Sequence, residues 1–385
     1  MHSYSKADLY NRYVQQAAAT ANKQHCISEA SLNNIEQAYP SELYTPDLFI
    51  AIAIGLLTVV GWLFGCGFLS LFLLEGGINK IGFSIAAIIM GAATYFVLEA
   101  MVKSKRYYNG GVDNVLLAGI VICGLVALYG TDYGQPPLAI VALVMLVICT
   151  ALCARFVDAF MGMLAVVALL TLVFALGNRL MPWYLLPLLV MIVSVALYRL
   201  AGKYVQRESL LAYRYCFTCI RLLALTCLYT AGNFYVIMQA GAYLFPGFGA
   251  TGFVLGLIFW VFTIAVPLIY VVAGIRKKDM AIVRLGLALL LVSVFTVRYY
   301  YSIMPPEQAM VWGGLLALGI AYVLIRLVKT GKYGYTFEAG AGDEKGLLQA
   351  KALLLLQSAA IKKMPVDHTQ FGGGSSGGGG ANSDY

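Results

Sequence analysis

A chain of 385 residues that is 61% hydrophobic and only 11% charged, with a mean hydropathy of +0.81, is too apolar to be a soluble globular protein of this length. The composition predicts an all-α, polytopic transmembrane bundle. The net charge of +8 comes from basic residues spread over the connections between apolar runs, and no nucleic-acid partner is expected.

Residues 1–47 are polar and are expected to form a helical hairpin outside the membrane. "SKADLYNRYVQQAAATANK" and "SEASLNNIEQAY" read as two short helices, with Ser5 and Ser28 as N-caps and Pro40 just past the second. Leu9, Tyr13 and Ala17 form one apolar stripe and Leu32, Ile35 and Tyr39 another, so the pair can close on itself and cap the bundle. No charged start leads into a short apolar stretch with a small-residue cleavage site. A removable signal peptide is therefore not expected, and the first span serves as an uncleaved anchor. "HCISEASLNNIEQAYP" followed by "FIAIAIGLLTVVGWLFG" resembles a family of bacterial membrane proteins of unknown function, in which a short N-terminal helical segment precedes a many-span bundle. The resemblance covers about the first third of the chain. It implies a bacterial membrane protein and brings no catalytic residues with it.

Runs near the ~20 residues that a bilayer core demands occur at about 48–74, 79–102, 113–130, 136–153, 157–177, 182–199, 216–239, 252–275, 280–302 and 308–328. Ten spans within 48–328 place both termini on one side. Basic residues in short loops mark that side as cytoplasmic. With the N-terminus inside, the inner segments hold Lys6, Arg12 and Lys23, then Lys103, Lys105 and Arg106, then Arg155, then Arg199, Lys203, Arg207 and Arg214, then Arg276, Lys277 and Lys278. The outer loops hold only Lys80 and Arg179, and carry instead aromatic and polar stretches such as "YYYSIMPPEQ". A cell membrane, specifically a bacterial inner membrane, is the expected location.

Residues 329–364 should form a cytoplasmic linker and an amphipathic helix, "DEKGLLQAKALLLLQSAAIKKM", acidic at its start and basic at its end. Its leucines need a surface to cover them. The Gly/Ser-rich tail, 365–385, is too polar and too glycine-rich to bury anything.

Marks of intramembrane enzymes are missing. His2, His25 and His368 all lie outside the spans, no H-E-x-x-H occurs, and neither a Walker nor a dinucleotide fingerprint is present. "GAGD" at 340–343 lacks a second membrane aspartate with which to share a proton. Cys216 and Cys219 form the one C-x-x-C among eight scattered cysteines, and core packing accounts for it. No enzymatic activity, cofactor or metal is expected.

The candidate binding residues are the ionisable groups in or near spans: Glu99, Asp158, Arg221, Arg284, Arg298 and Glu307. Glu99, Arg221 and Arg284 lie about one helical turn from the inner boundary, where long side chains snorkel. Asp158 follows Arg155 at i+3 spacing and can pair with it locally. The sharper alternative is one polar cluster in which Glu99 and Asp158 face Arg221 and Arg284. Arg298 stands apart, roughly 9 Å beyond the centre of its helix on the outer side, within reach of Glu307 across a short turn. Two functional readings follow. The first is a non-catalytic envelope or scaffold protein whose cytoplasmic ends bind a protein partner, with membrane lipids around it. The second is a secondary transporter or channel for a small solute or lipid, built as five plus five helices.

Overall fold

The computed structural model describes residues 3–23, 26–75, 80–130, 136–244 and 253–300, together with scattered positions between 308 and 326. The predicted span at 308–328 lies largely outside the described residues, and the Leu-rich segment and the glycine tail lie wholly outside them. The described chain is all-α. α1 (Lys6–Lys23) and α2 (Glu29–Ala38) form the hairpin. α3 (Leu48–Glu75), α4 (Lys80–Lys105), α5 (Val112–Tyr129), α6 (Leu138–Phe156), α7 (Ala159–Leu180), α8 (Leu186–Val205), α9 (Arg214–Gly232), α10 (Phe234–Leu244), α11 (Phe253–Arg276) and α12 (Met280–Tyr300) follow.

Among the described residues, nine helices are long and apolar enough to cross a membrane, and they overlap the first nine predicted runs. The protein is an integral, multi-pass membrane protein. Helix is dictated here because backbone N–H and C=O groups in hydrocarbon must bond within their own segment. Most of α3 is exposed, with Leu56, Leu57, Phe64 and Phe68 pointing away from the protein, as a lipid-facing helix requires. It approaches α5 at Gly111, whose φ of +90° and missing Cβ let it lie against the Ala51 carbonyl.

Neighbours in sequence pack as antiparallel pairs: α4 on α5, α6 on α7, α8 on α9 and α11 on α12. The larger core runs through α4–α7 and the start of α9, with Leu98, Leu117, Met145, Phe156 and Met161 at its centre. A second core joins α9, α11 and α12 through Leu225, Tyr229, Tyr270 and Leu289.

The predicted single span at 216–239 is broken. Asn233 takes an extended backbone (ψ 127°), ends α9 and begins α10. Its amide is the reason. The side-chain oxygen accepts from Val236 N at 3.2 Å, while Nδ2 donates to Tyr229 Oη at 2.9 Å and Thr296 Oγ1 at 3.2 Å. Thr263 of α11 accepts from Phe234 N at 2.9 Å. A buried asparagine with three partners outweighs one continuous turn of helix. At the same level Gly232 admits the Phe262 ring where any Cβ would collide.

The hairpin is continuous with the bundle. Ser28 accepts from Ser31 N at 3.2 Å as the N-cap of α2, and Asn11 and Gln15 donate to the Pro40 and Tyr39 carbonyls at 2.7 and 2.9 Å. Its internal core is Val14, Ala18 and Ile35, so the stripe through Leu9 turns elsewhere. Tyr4, Leu9 and Leu43 enter the larger bundle core, and each buried side chain of this kind is worth about 1.5–3 kcal/mol where it leaves water.

Candidate functional site at the hairpin end of the bundle

The α4–α5, α6–α7 and α8–α9 connections all meet the hairpin, so they lie at one end of the bundle. Ser3 N donates to Arg155 O at 3.0 Å, and Tyr4 Oη donates to Tyr107 O at 2.9 Å. Tyr44 N donates to Arg106 O at 2.9 Å and accepts, through its carbonyl, from Tyr108 N at 3.1 Å. Arg214 Nη1 donates to Tyr13 Oη at 2.7 Å. Arg106 reaches Asp8 at 3.5 Å and also pairs with Glu42.

Two carboxylates are buried beneath this cover. Asp113, in the first turn of α5, accepts from Asn109 N at 2.7 Å and Gly110 N at 2.9 Å, which fastens the "YYNGG" loop. Asp158 N-caps α7 by accepting from Met161 N at 2.7 Å. The turn before it is tight because Val157 ends α6 in the left-handed region at φ 55°, a strained choice for a β-branched residue. Cys216 Sγ donates to the Val157 carbonyl at 3.4 Å and helps hold that conformation.

Burial pushes the Asp158 carboxyl above the usual carboxylate range. The Met161 N–H works against the rise, and the nearby Asp113 charge adds to it. Burial also pushes the Tyr108 phenol up to about 12. Tyr4 is shifted further in the same direction, by burial first and then by Asp113. The two tyrosines meet edge to face, with ring centroids 5.3 Å apart. At neutral pH they are neutral donors.

Two cavities open beside these groups and share Tyr215. One, about 510 Å³, is lined by Asn109, Asn114, Asp158, Phe160, Tyr215 and Cys219, between α5, α7 and α9. The other, about 280 Å³, lies between α1 and the start of α9, and Arg12, Tyr13, Gln16, Tyr108, Arg214 and Thr218 line it. Cys219 thus faces a cavity while Cys216 is buried. Among the described residues no group of three or more His, Cys, Asp or Glu is placed to hold a metal ion.

The six candidates from the sequence do not gather. Glu99 accepts from Arg155 Nη2 at 2.6 Å and pairs with Lys103 at 2.9 Å, which ties α4 to α6. Arg155 therefore bonds across the bundle, and the expected local pair with Asp158 is replaced by the α7 cap. Arg221 pairs with Asp279, which also caps α12 by accepting from Ala281 N at 3.1 Å. Arg284 is exposed on α12. The polar cluster of Glu99, Asp158, Arg221 and Arg284 is accordingly not formed; two separate ion pairs and one cap stand in its place.

Arg298 is half-buried in the last turn of α12, and Glu307 lies outside the described residues. The tyrosines after Arg298 join a packed aromatic group. Tyr299 meets Tyr235 at 4.8 Å and Tyr300 meets Phe234 at 5.1 Å, while Phe234 stacks on Trp260 at 4.8 Å.

Arg12, Tyr108, Asp113, Arg214 and Asp279 were not singled out by the sequence. Asp113 and Asp279 sit at span boundaries, where an acid one to three residues from a helix start reads as a solvated cap. Arg12 and Arg214 read as ordinary inner-loop cations, and only the docking of α1 on α9 brings them together. No protein-family model, curated protein or solved structure matches the chain, so its functional reading rests on this geometry.

Proposed function

We propose that the chain is a non-catalytic membrane protein of a bacterial inner membrane, with both termini in the cytoplasm, whose hairpin end is a preformed recognition face for lipid and for a protein partner. The observation that carries this reading is the shared core. Tyr4, Leu9 and Leu43 pack with the membrane helices, so the hairpin holds a fixed surface, lining the smaller of the two cavities, at no further ordering cost. The basic loops 103–106, 155, 207–214 and 276–278 favour the cytoplasm for this face.

Purification of the full chain in mild detergent, with mass spectrometry of what accompanies it, tests the reading. A reproducible lipid and protein complement is expected. Its orientation is tested separately, because Cys26 is exposed in the hairpin. A membrane-impermeant maleimide is expected to label Cys26 in inverted vesicles and not in intact cells, with Cys26→Ser as the control; labelling in intact cells would reverse the topology.

A transport reading draws on one observation, the α9–α10 break at Asn233, since interrupted helices form substrate sites in carriers. Solute counterflow in proteoliposomes that is lost in Asn233→Ala would favour transport over the recognition reading.

A further inference from the structure

The smaller cavity at the hairpin end carries two guanidinium groups and no carboxylate in its lining. The nearest acid on α1, Asp8, is engaged by Arg106. Asp113 accepts from backbone N–H groups with both oxygens and Asp158 with Oδ1, and Asp158 lines the neighbouring cavity instead of this one. The cavity is therefore locally cationic.

Arg12 is the unusual member. Its Nε is buried and has no hydrogen-bond partner. A guanidinium has five N–H donors and cannot shed its charge, so a buried, unspent edge is costly unless an anion meets it. Arg214 is held in place by its 2.7 Å bond to Tyr13 Oη, which fixes one arm of a clamp on the opposite wall. Tyr108 is a neutral phenol at neutral pH, and Gln16 adds a further donor to the lining, while the Thr218 hydroxyl donates to the Arg214 carbonyl at 2.8 Å. Leu9 and Leu211 supply an apolar floor.

We propose that this cavity binds a phosphate group, clamped between Arg12 and Arg214. Planar guanidinium forks match phosphate oxygens two at a time, and paired arginines with neutral hydroxyl donors select phosphate over chloride. The phosphate has two possible carriers, a lipid headgroup, for which the apolar floor and the position at the end of the membrane helices are suited, and a soluble phosphate. The site stands whether or not the hairpin end also binds a protein.

The test is thermal unfolding of the full chain in dodecyl maltoside, titrated with phosphatidylglycerol, with inorganic phosphate, or with sodium chloride at matched ionic strength. Wild type is expected to be stabilised by one or both phosphate carriers and not by chloride, and Arg12→Gln is expected to lower that apparent affinity at least tenfold. Because Arg12 Nε makes no bond within the fold, this variant should remain folded; size-exclusion elution checks it, and Arg214→Gln provides a second reading. Arg207→Gln, a neighbouring cation stacked on Tyr204 outside the cavity, is expected to respond like wild type. Stabilisation by phosphatidylglycerol alone assigns the site to a lipid, and stabilisation by inorganic phosphate assigns it to a soluble carrier. No stabilisation by either, or equal stabilisation of wild type and Arg12→Gln, overturns the proposal.

Discussion

Asp158 allows two opposing effects to be separated. Its carboxylate caps α7 through Met161 N, a bond of 2.7 Å, yet it is only 7% exposed and close to the charge of Asp113. Replacement by alanine removes the cap and leaves a buried N–H without a partner, which should cost about 1–2 kcal/mol. Replacement by asparagine keeps an acceptor oxygen at the cap and removes the buried charge, so Asp158→Asn should match or exceed wild-type stability at neutral pH.

The sign with pH follows from linkage. The folded carboxyl has a raised affinity for its proton, so the native state is favoured when Asp158 is protonated. That contribution is fully present below the unfolded pKa, and it is lost as pH rises through the folded pKa. The advantage of Asp158→Asn should therefore be smallest in acid and grow towards neutrality. Thermal unfolding followed by circular dichroism in detergent, from about pH 4 to pH 8, reads this out at about 2–4 °C per kcal/mol. If Asp158→Asn is as destabilised as Asp158→Ala at every pH, the carboxylate is needed for its charge, and the argument from burial is wrong.

Two further outcomes are expected. Arg221→Gln strands Asp279 in a half-buried setting and should cost about 1–3 kcal/mol, part of which Arg221→Gln combined with Asp279→Asn restores in a double-mutant cycle. Gly232→Ala drives a methyl into the Phe262 ring and should cost about 1–3 kcal/mol in the same unfolding assay; an unchanged transition would show that α9 and α11 can separate freely at that level.

The nine described spans were legible because the requirement that produces them is local. Each apolar run must close its own backbone hydrogen bonds in hydrocarbon, and the signal is contained within ~20 residues. The hairpin was legible for a similar reason, since Ser28 and the stripe through Leu32, Ile35 and Tyr39 lie within one turn or two of each other. The break at Asn233 was hidden, because an asparagine within an apolar run interrupts a helix only if other helices offer it partners, and Thr296 lies 63 residues away.

Charge pairing was the least legible feature. Arg155 had Asp158 three residues away, yet it bonds Glu99, 56 residues distant, because the left-handed turn at Val157 commits Asp158 to the α7 cap. Arg221 likewise finds Asp279 across the α9–α12 contact. The sequence by itself determined the class of the protein, the approximate places of the nine described spans and the alternation of basic and aromatic loops, since these follow from the free energy of moving single segments between water and hydrocarbon. Only the tertiary structure decided which charges neutralise one another and which two, Arg12 and Arg214, line a cavity together, because that depends on how α1 docks against α9 and leaves no trace in the spacing of either.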